Sequence, residues 1–315
     1  MSDASVAAPR SRRLQADLSL LLVALIWGSA FVAQRLGMAE VGPFAFNATR
    51  FAVGSLTLIP LLGRARLRPP SWDELRSGAL LGVLLFAAAT LQQVGLIWTI
   101  AGKAGFITGL YVVIVPLLLA LAWGEWADWT SWLGAGLGAA GLFLLSVERG
   151  FRLAPGDGWV VASALMWALH VIAIGRVAPG RDPLRLAFLQ YAACALLSVP
   201  ATLVLEPGTW GGLLLVIPAI LYAGVISIGL GYTTQVIAQR HTTPTHAAII
   251  LSTESVFAAL AGWLVLGESL SGKQLLGCGL MLGGILLAQV PRSDADPVCV
   301  RPGLTRTAPE DQVNH

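Results

Sequence analysis

Charge is what this chain has least of. Asp, Glu, Lys and Arg together make up 12% of its 315 residues, about half the one-quarter typical of soluble domains. A surface that poor in charge speaks against a soluble globule and for a membrane protein. Cysteine is scarce too. Cys194 and Cys278 fall inside apolar runs and Cys299 in a polar tail, so no pair has metal or redox spacing. No metal or cofactor site is read from the sequence. Long polar segments are also missing, which removes the usual sign of a receptor or assembly subunit. A membrane-embedded enzyme is the other rival, and neither a nucleophile–base pair at recognisable spacing nor a catalytic domain outside the apolar runs supports it.

What the chain does have is 56% hydrophobic residues and a mean hydropathy of +0.75. The apolar residues gather into ten runs, near Leu18–Gln34, Phe44–Leu62, Gly78–Thr99, Ala104–Ala122, Trp132–Val147, Trp159–Ile174, Leu186–Leu205, Leu213–Ile237, Ala247–Leu266 and Gln274–Val290. Each approaches or reaches the roughly 17–25 residues that a helix needs to cross a bilayer. Helices are expected because a lipid-exposed backbone must satisfy its own hydrogen bonds, and the alternation of barrel strands is absent. The first run lacks a small-residue cleavage site and is read as a retained helix. With the N-terminus inside, 14 of the 20 Lys and Arg face the cytoplasm, 5 face outward and Arg50 lies within the membrane. That bias puts both termini in the cytoplasm of a multi-pass plasma-membrane protein. The pI near 9.0 follows from these loops, and no nucleic-acid partner is inferred. Residues 1–17 read as a cytoplasmic N-terminal segment, and residues 291–315 as a disordered cytoplasmic tail.

The second half of the chain repeats the first. At an offset of 140, Ala24–Trp27 lies over Ala164–Trp167, Pro43 over Pro183 and Pro60 over Pro200. At an offset of 143, Gln92 lies over Gln235, Tyr111 over Glu254, Gly124-Glu125 over Gly267-Glu268, and Gly134, Gly136 and Gly141 over Gly277, Gly279 and Gly284. Each half, 18–147 and 159–290, holds five runs. Five is odd, so the second half enters the membrane upside down relative to the first. The expected fold is therefore an all-α polytopic membrane protein with ten transmembrane helices in two inverted-topology five-helix repeats. Such a pair gives one pattern two nearly equivalent environments, one opening inward and one outward, and alternating access follows from it.

The pattern Leu251–Leu260, then Gly267-Glu268 and Gly277 to Gly284, resembles the EamA-type family of the drug/metabolite transporter superfamily. Pro116, Gly124 and Glu125 in the first half are similar to it, as is Ala48-Thr49-Arg50-Phe51. The resemblance runs from about Leu18 to Gln289. It implies ten helices, two EamA repeats, a bacterial inner-membrane location and export or import of small metabolites. This chain has Ser255 where the family often has Pro.

Intramembrane polar residues give the candidate site. Glu254 sits about 10 Å into its run at 1.5 Å per residue, and a charge at that depth costs roughly 2.5–3.5 kcal/mol. One reading makes it a structural carboxylate holding two helices in register. The other makes it a substrate-binding and proton-coupling group, because competition between a proton and a cationic solute at one carboxylate couples their movements. Arg50 shares a helix face with Asn47, Gly54 and Thr57. It either binds backbone carbonyls or snorkels, or else recognises a substrate carboxylate or pairs with Glu254. Gln92, Tyr111, Gln235 and Tyr232 are interhelical hydrogen-bonding groups taken singly. Together they point to a small-molecule pocket at the repeat interface, with Trp27, Trp167 and His170 as lining candidates. The Gly134–Gly141 run lacks the strand–turn–helix context of a nucleotide fingerprint. Its glycines, with Gly279 and Gly283, suit close helix packing or oligomerisation. Glu125 and Glu268 read as structural carboxylates before the next helix.

Overall fold

The computed structural model describes residues 10–66, 69–98, 101–146, 154–266 and 271–288. Residues 291–315 and Glu268 lie outside that set. Among the described residues every regular element is helical. The elements are α1 (Arg10–Gly37), α2 (Pro43–Arg66), α3 (Trp72–Leu96), α4 (Ala101–Gly109), α5 (Tyr111–Trp123), α6 (Trp129–Ser146), α7 (Asp157–Val177) and α8 (Pro183–Leu205). There follow a 3₁₀ turn (Thr209–Val216), α9 (Ile217–Leu221), a π-helical segment (Tyr222–Tyr232), α10 (Thr233–Ala238), α11 (Pro244–Leu251), α12 (Glu254–Leu266) and α13 (Gly272–Ala288). Helix α1 begins at Arg10, so the helix starts before the apolar run does.

Seven described helical spans are long and apolar enough to cross a membrane, and α6 and α13 are shorter apolar helices. The remaining span, ninth along the chain, is α11 with α12, interrupted at Ser252-Thr253. Exposed tryptophans mark both ends of the bundle. Trp72, Trp123, Trp126 and Trp129 lie at the end where α1 begins (the near end), and Trp98 and Trp159 at the far end. Indole rings favour the two membrane–water interfaces.

Local sequence explains the helix starts. Ser71 and Glu74 form a capping box at α3, while Asp182 before Pro183 and Thr243 before Pro244 cap α8 and α11. Such caps contribute about 1 kcal/mol each. The near end is tied across the halves by Arg181–Asp73 (2.9 Å), Arg185–Glu74 (3.0 Å) and Arg176–Glu125 (2.7 Å). Glu125 thus holds the end of α7 rather than the start of the next helix. At the far end the Glu206 carboxylate accepts from Phe44 N (3.1 Å) and Ala45 N (2.9 Å), meeting the positive N-terminus of α2.

Helices α6 and α13 pack closely through glycine. A Cβ on Gly141 would lie 2.5 Å from the Gly277 carbonyl oxygen, and one on Gly134 would lie 2.8 Å from that of Gly284. The converse holds from the other helix, at 2.6 Å for Gly277 and 2.7 Å for Gly284. These glycines are seven apart and are used within the chain. The neighbouring Gly136, Gly279 and Gly283 face open space, so Gly279 and Gly283 do not take part in this contact. Gly141→Leu is expected to cost about 1–3 kcal/mol by overpacking, while Gly136→Leu leaves stability unchanged. Thermal unfolding of the detergent-solubilised protein separates the two.

Candidate functional site

Both halves break their fourth span just before a matched residue. In the first half the helix is interrupted at Leu110, so Tyr111 opens α5. In the second, the interruption at Ser252-Thr253 makes Glu254 the first residue of α12. The second break has a local cause. Ser252 Oγ donates to the Ile249 carbonyl (2.8 Å) and Thr253 Oγ1 to that of Ile250 (2.6 Å), a back-bonding pattern that bends helices. Gly28 of α1 lets α12 approach closely, since a Cβ there would lie 2.5 Å from the Glu254 carbonyl oxygen.

These elements enclose a cavity of about 540 Å³ of empty space, its open mouth included. Eight of the nine residues expected from sequence line it, namely Trp27, Arg50, Gln92, Tyr111, Trp167, Tyr232, Gln235 and Glu254. His170 does not. It is fully buried behind the wall, 5.9 Å centre to centre from Trp167, with Nε2 3.0 Å from Gln190 Oε1. Six further residues line the cavity: Phe31, Gln34, Thr108, Val171, Ser227 and Leu251. Phe31 and Gln34 sit four and seven positions after Trp27, the spacing of one helix face, and that face was readable from the sequence.

Tyr232 is the hub of the wall. It stacks on Trp167 (5.9 Å, 20°) and lies 4.4 Å from Trp27, with Phe51, His170 and Tyr191 each 6.4 Å away. The π-helical turn that ends at Tyr232 also offers the Ser227 carbonyl to Trp27 Nε1 (3.3 Å). Wide turns of this kind are frequent at functional sites.

The two charged residues are held differently. Arg50 Nε donates to Asn47 Oδ1 (3.0 Å), and its guanidinium lies 5.4 Å from the Phe46 ring and 5.1 Å from that of Phe51. Arg50 is 4% exposed and Glu254 6%. Arg50 neither snorkels nor forms an ion pair with Glu254, and its Nε partner is Asn47. Gln92 Nε2 donates to Thr108 Oγ1 (3.2 Å), whereas Gln239 Nε2 donates to the Val171 carbonyl (3.0 Å), a packing role. Gln34 Oε1, Tyr111 OH, Trp167 Nε1 and Gln235 Oε1 are buried without a hydrogen-bond partner among the described residues. A buried polar atom left so costs about 1–3 kcal/mol.

Related proteins extend this picture. An uncharacterized transporter of Archaeoglobus fulgidus is 35% identical over 283 residues, 89% of this chain and 87% of that one. The uncharacterized inner membrane transporter YedA of Escherichia coli is 26% identical, covering 85% of this chain and 89% of its own length. A probable terminal-alkyne amino-acid exporter of Streptantibioticus cattleyicolor is 23% identical, covering 85% and 91%. A protein crystal structure at 24% identity superposes with a TM-score of 0.74 over 87% of this chain and 96% of that chain, which shows the shared fold. The model of the EamA-like transporter family matches twice, over residues 14–147 and 154–289. This chain belongs to the EamA-like transporter family.

Proposed function

We propose that this membrane transporter moves a small zwitterionic solute, amino-acid-like in its charges, by alternating access, with Glu254 as the site of proton coupling. One observation carries the reading: a single cavity holds a carboxylate and a guanidinium that are not paired with each other. Two opposite charges kept apart in a nearly buried space are costly unless a ligand meets both. In this reading Glu254 takes the ammonium group and Arg50 the carboxylate. Gln92, Tyr111 and Gln235 bond the polar backbone of the solute, while Trp27, Trp167 and Tyr232 pack its side chain and His170 buttresses that wall. The name of the Streptantibioticus relative, a probable terminal-alkyne amino-acid exporter, points the same way.

Alternating access rests on an inverted repeat of residues 18–147 and 159–290. Support comes from the glycine contact. In the repeat register Gly134 matches Gly277 and Gly141 matches Gly284, yet Gly134 meets Gly284 and Gly141 meets Gly277. Exchanging the halves maps this contact onto itself, as a two-fold axis between antiparallel equivalent helices requires. The matched breaks before Tyr111 and Glu254 fit the same relation. The Arg-rich loops favour a near end in the cytoplasm, with both termini there too, and in a bacterium the inner membrane; α1 begins at Arg10, so residues 10–17 belong to the bundle rather than to a separate cytoplasmic segment.

Quenching of tryptophan fluorescence on solute binding tests the charge assignment, since Trp27 and Trp167 line the cavity. Amino acids are expected to compete with one another, and the matched amines and desamino acids to compete about 10- to 100-fold more weakly, each lacking one charged contact. Equal competition by all three classes would overturn the zwitterion reading.

A further inference from the structure

The near end of the bundle holds a buried acid–base pair that the cavity does not use. Asp17 Oδ1 on α1 lies 3.1 Å from His246 Nε2 on α11, and the residues are 5% and 3% exposed. The pair joins the first half to the second. Helix α11 is also the segment that delivers Glu254: the two positions are eight apart, about 12 Å of helical rise. Between the pair and the cavity lie Leu20, Val23, Ala247 and Ile250, each fully buried in one apolar cluster. The cavity-lining residues of α1 (Trp27, Phe31 and Gln34) all lie beyond that plug. Along α1 and α11 the cavity therefore sits on the far side of a seal whose near edge is the Asp17–His246 contact.

The repeat register makes the pair half of a symmetric arrangement. At the offset of 140, Asp17 falls on Asp157, also 5% exposed, at the start of α7. At the offset of 143, His246 falls on Lys103. Each half thus carries a buried acid on its first helix and a basic residue at the start of its broken fourth span.

We infer that Asp17 and His246 are positioning residues that close the near end. Their contact holds α11, and with it Glu254, so that the cavity faces the far side, and the near side opens when the contact parts. The inference rests on the alternating-access reading above.

The test uses the full chain with Cys194, Cys278 and Cys299 replaced by Ala and a reporter thiol introduced by Leu251→Cys in the cavity wall. Membrane-impermeant thiol reagent is applied to sealed vesicles of each sidedness, and a separate Trp72→Cys chain marks the near face. Asp17→Asn and His246→Gln, made separately, are each expected to speed near-side labelling of the reporter by about tenfold and to slow far-side labelling, as a two-state shift requires. Asp157→Asn is expected to leave near-side labelling unaccelerated. Near-side rates unchanged in both Asp17→Asn and His246→Gln would overturn the closure. So would acceleration from both sides at once, which is the mark of a loosened fold. Labelling that shifts as expected in a protein that moves no zwitterion sinks the solute reading and keeps the closure. Transport with unshifted labelling does the reverse.

Discussion

Glu254→Gln is expected to lower gradient-driven solute flux by roughly 100-fold and to abolish its dependence on the pH gradient. Glutamine keeps the shape of the side chain and its hydrogen-bonding capacity but cannot exchange a proton or meet an ammonium as a charge. The carboxylate opens α12 and faces the cavity without an ion pair to Arg50. Truncating one partner of a buried charge contact typically costs about 2–5 kcal/mol, and each 1.4 kcal/mol is about tenfold. The same change costs the fold little, since a carboxylate at a helix N-terminus contributes only about 0.3–1 kcal/mol. Flux in proteoliposomes and thermal unfolding in detergent, measured on one preparation, separate the two possibilities. Wild-type flux with an unchanged pH profile and a lowered melting temperature would make Glu254 a register-holding group.

Arg50→Gln is expected to split substrates by charge. Half-saturation by a zwitterion should rise by roughly 100-fold, by the same arithmetic as for Glu254, while binding of the corresponding amine, which has no carboxylate, changes little. Arg50→Lys should not restore the zwitterion. The guanidinium is fixed between Phe46 and Phe51 with Nε committed to Asn47, which leaves its terminal nitrogens for a planar, two-oxygen partner. An ammonium on a flexible stem does not reproduce that fork. Equal losses for zwitterion and amine would place Arg50 in the scaffold.

The membrane class, the apolar runs and eight of the cavity residues were legible in the sequence. In an apolar span every charged, phenolic or amide side chain stands out, because hydrocarbon penalises it, and Trp27 and Trp167 stand out by matching each other at the offset of 140. The repeat was legible because Trp, Pro, Gln and Gly-Glu recur in order, a stronger signal than shared Leu and Ala. The breaks were not legible from hydropathy, since Leu110 is as apolar as its neighbours and Ser252-Thr253 read as two polar positions in a continuous run. Back-bonding to Ile249 and Ile250 ends that helix, and it depends on rotamers. His170 shows the converse limit. Its neighbour Trp167 is in the wall, but the imidazole turns toward Gln190 and leaves the cavity. Asp17 was hidden because it precedes the apolar run, whereas α1 extends back to Arg10 and carries it into the bundle. Long-range pairs such as Asp17–His246 and Glu206 with the start of α2 have no local sequence signature at all.

The most direct measurement is flux across a sealed bilayer. Proteoliposomes loaded with a pooled set of amino acids and other small metabolites are placed under an imposed pH gradient, and the solutes that cross are identified by mass spectrometry against protein-free liposomes. A proton-coupled zwitterion carrier predicts that at least one amino-acid-like solute moves saturably, and that a proton ionophore collapses its gradient-driven component. Movement confined to solutes of a single charge, or movement no greater than in protein-free liposomes, would contradict it.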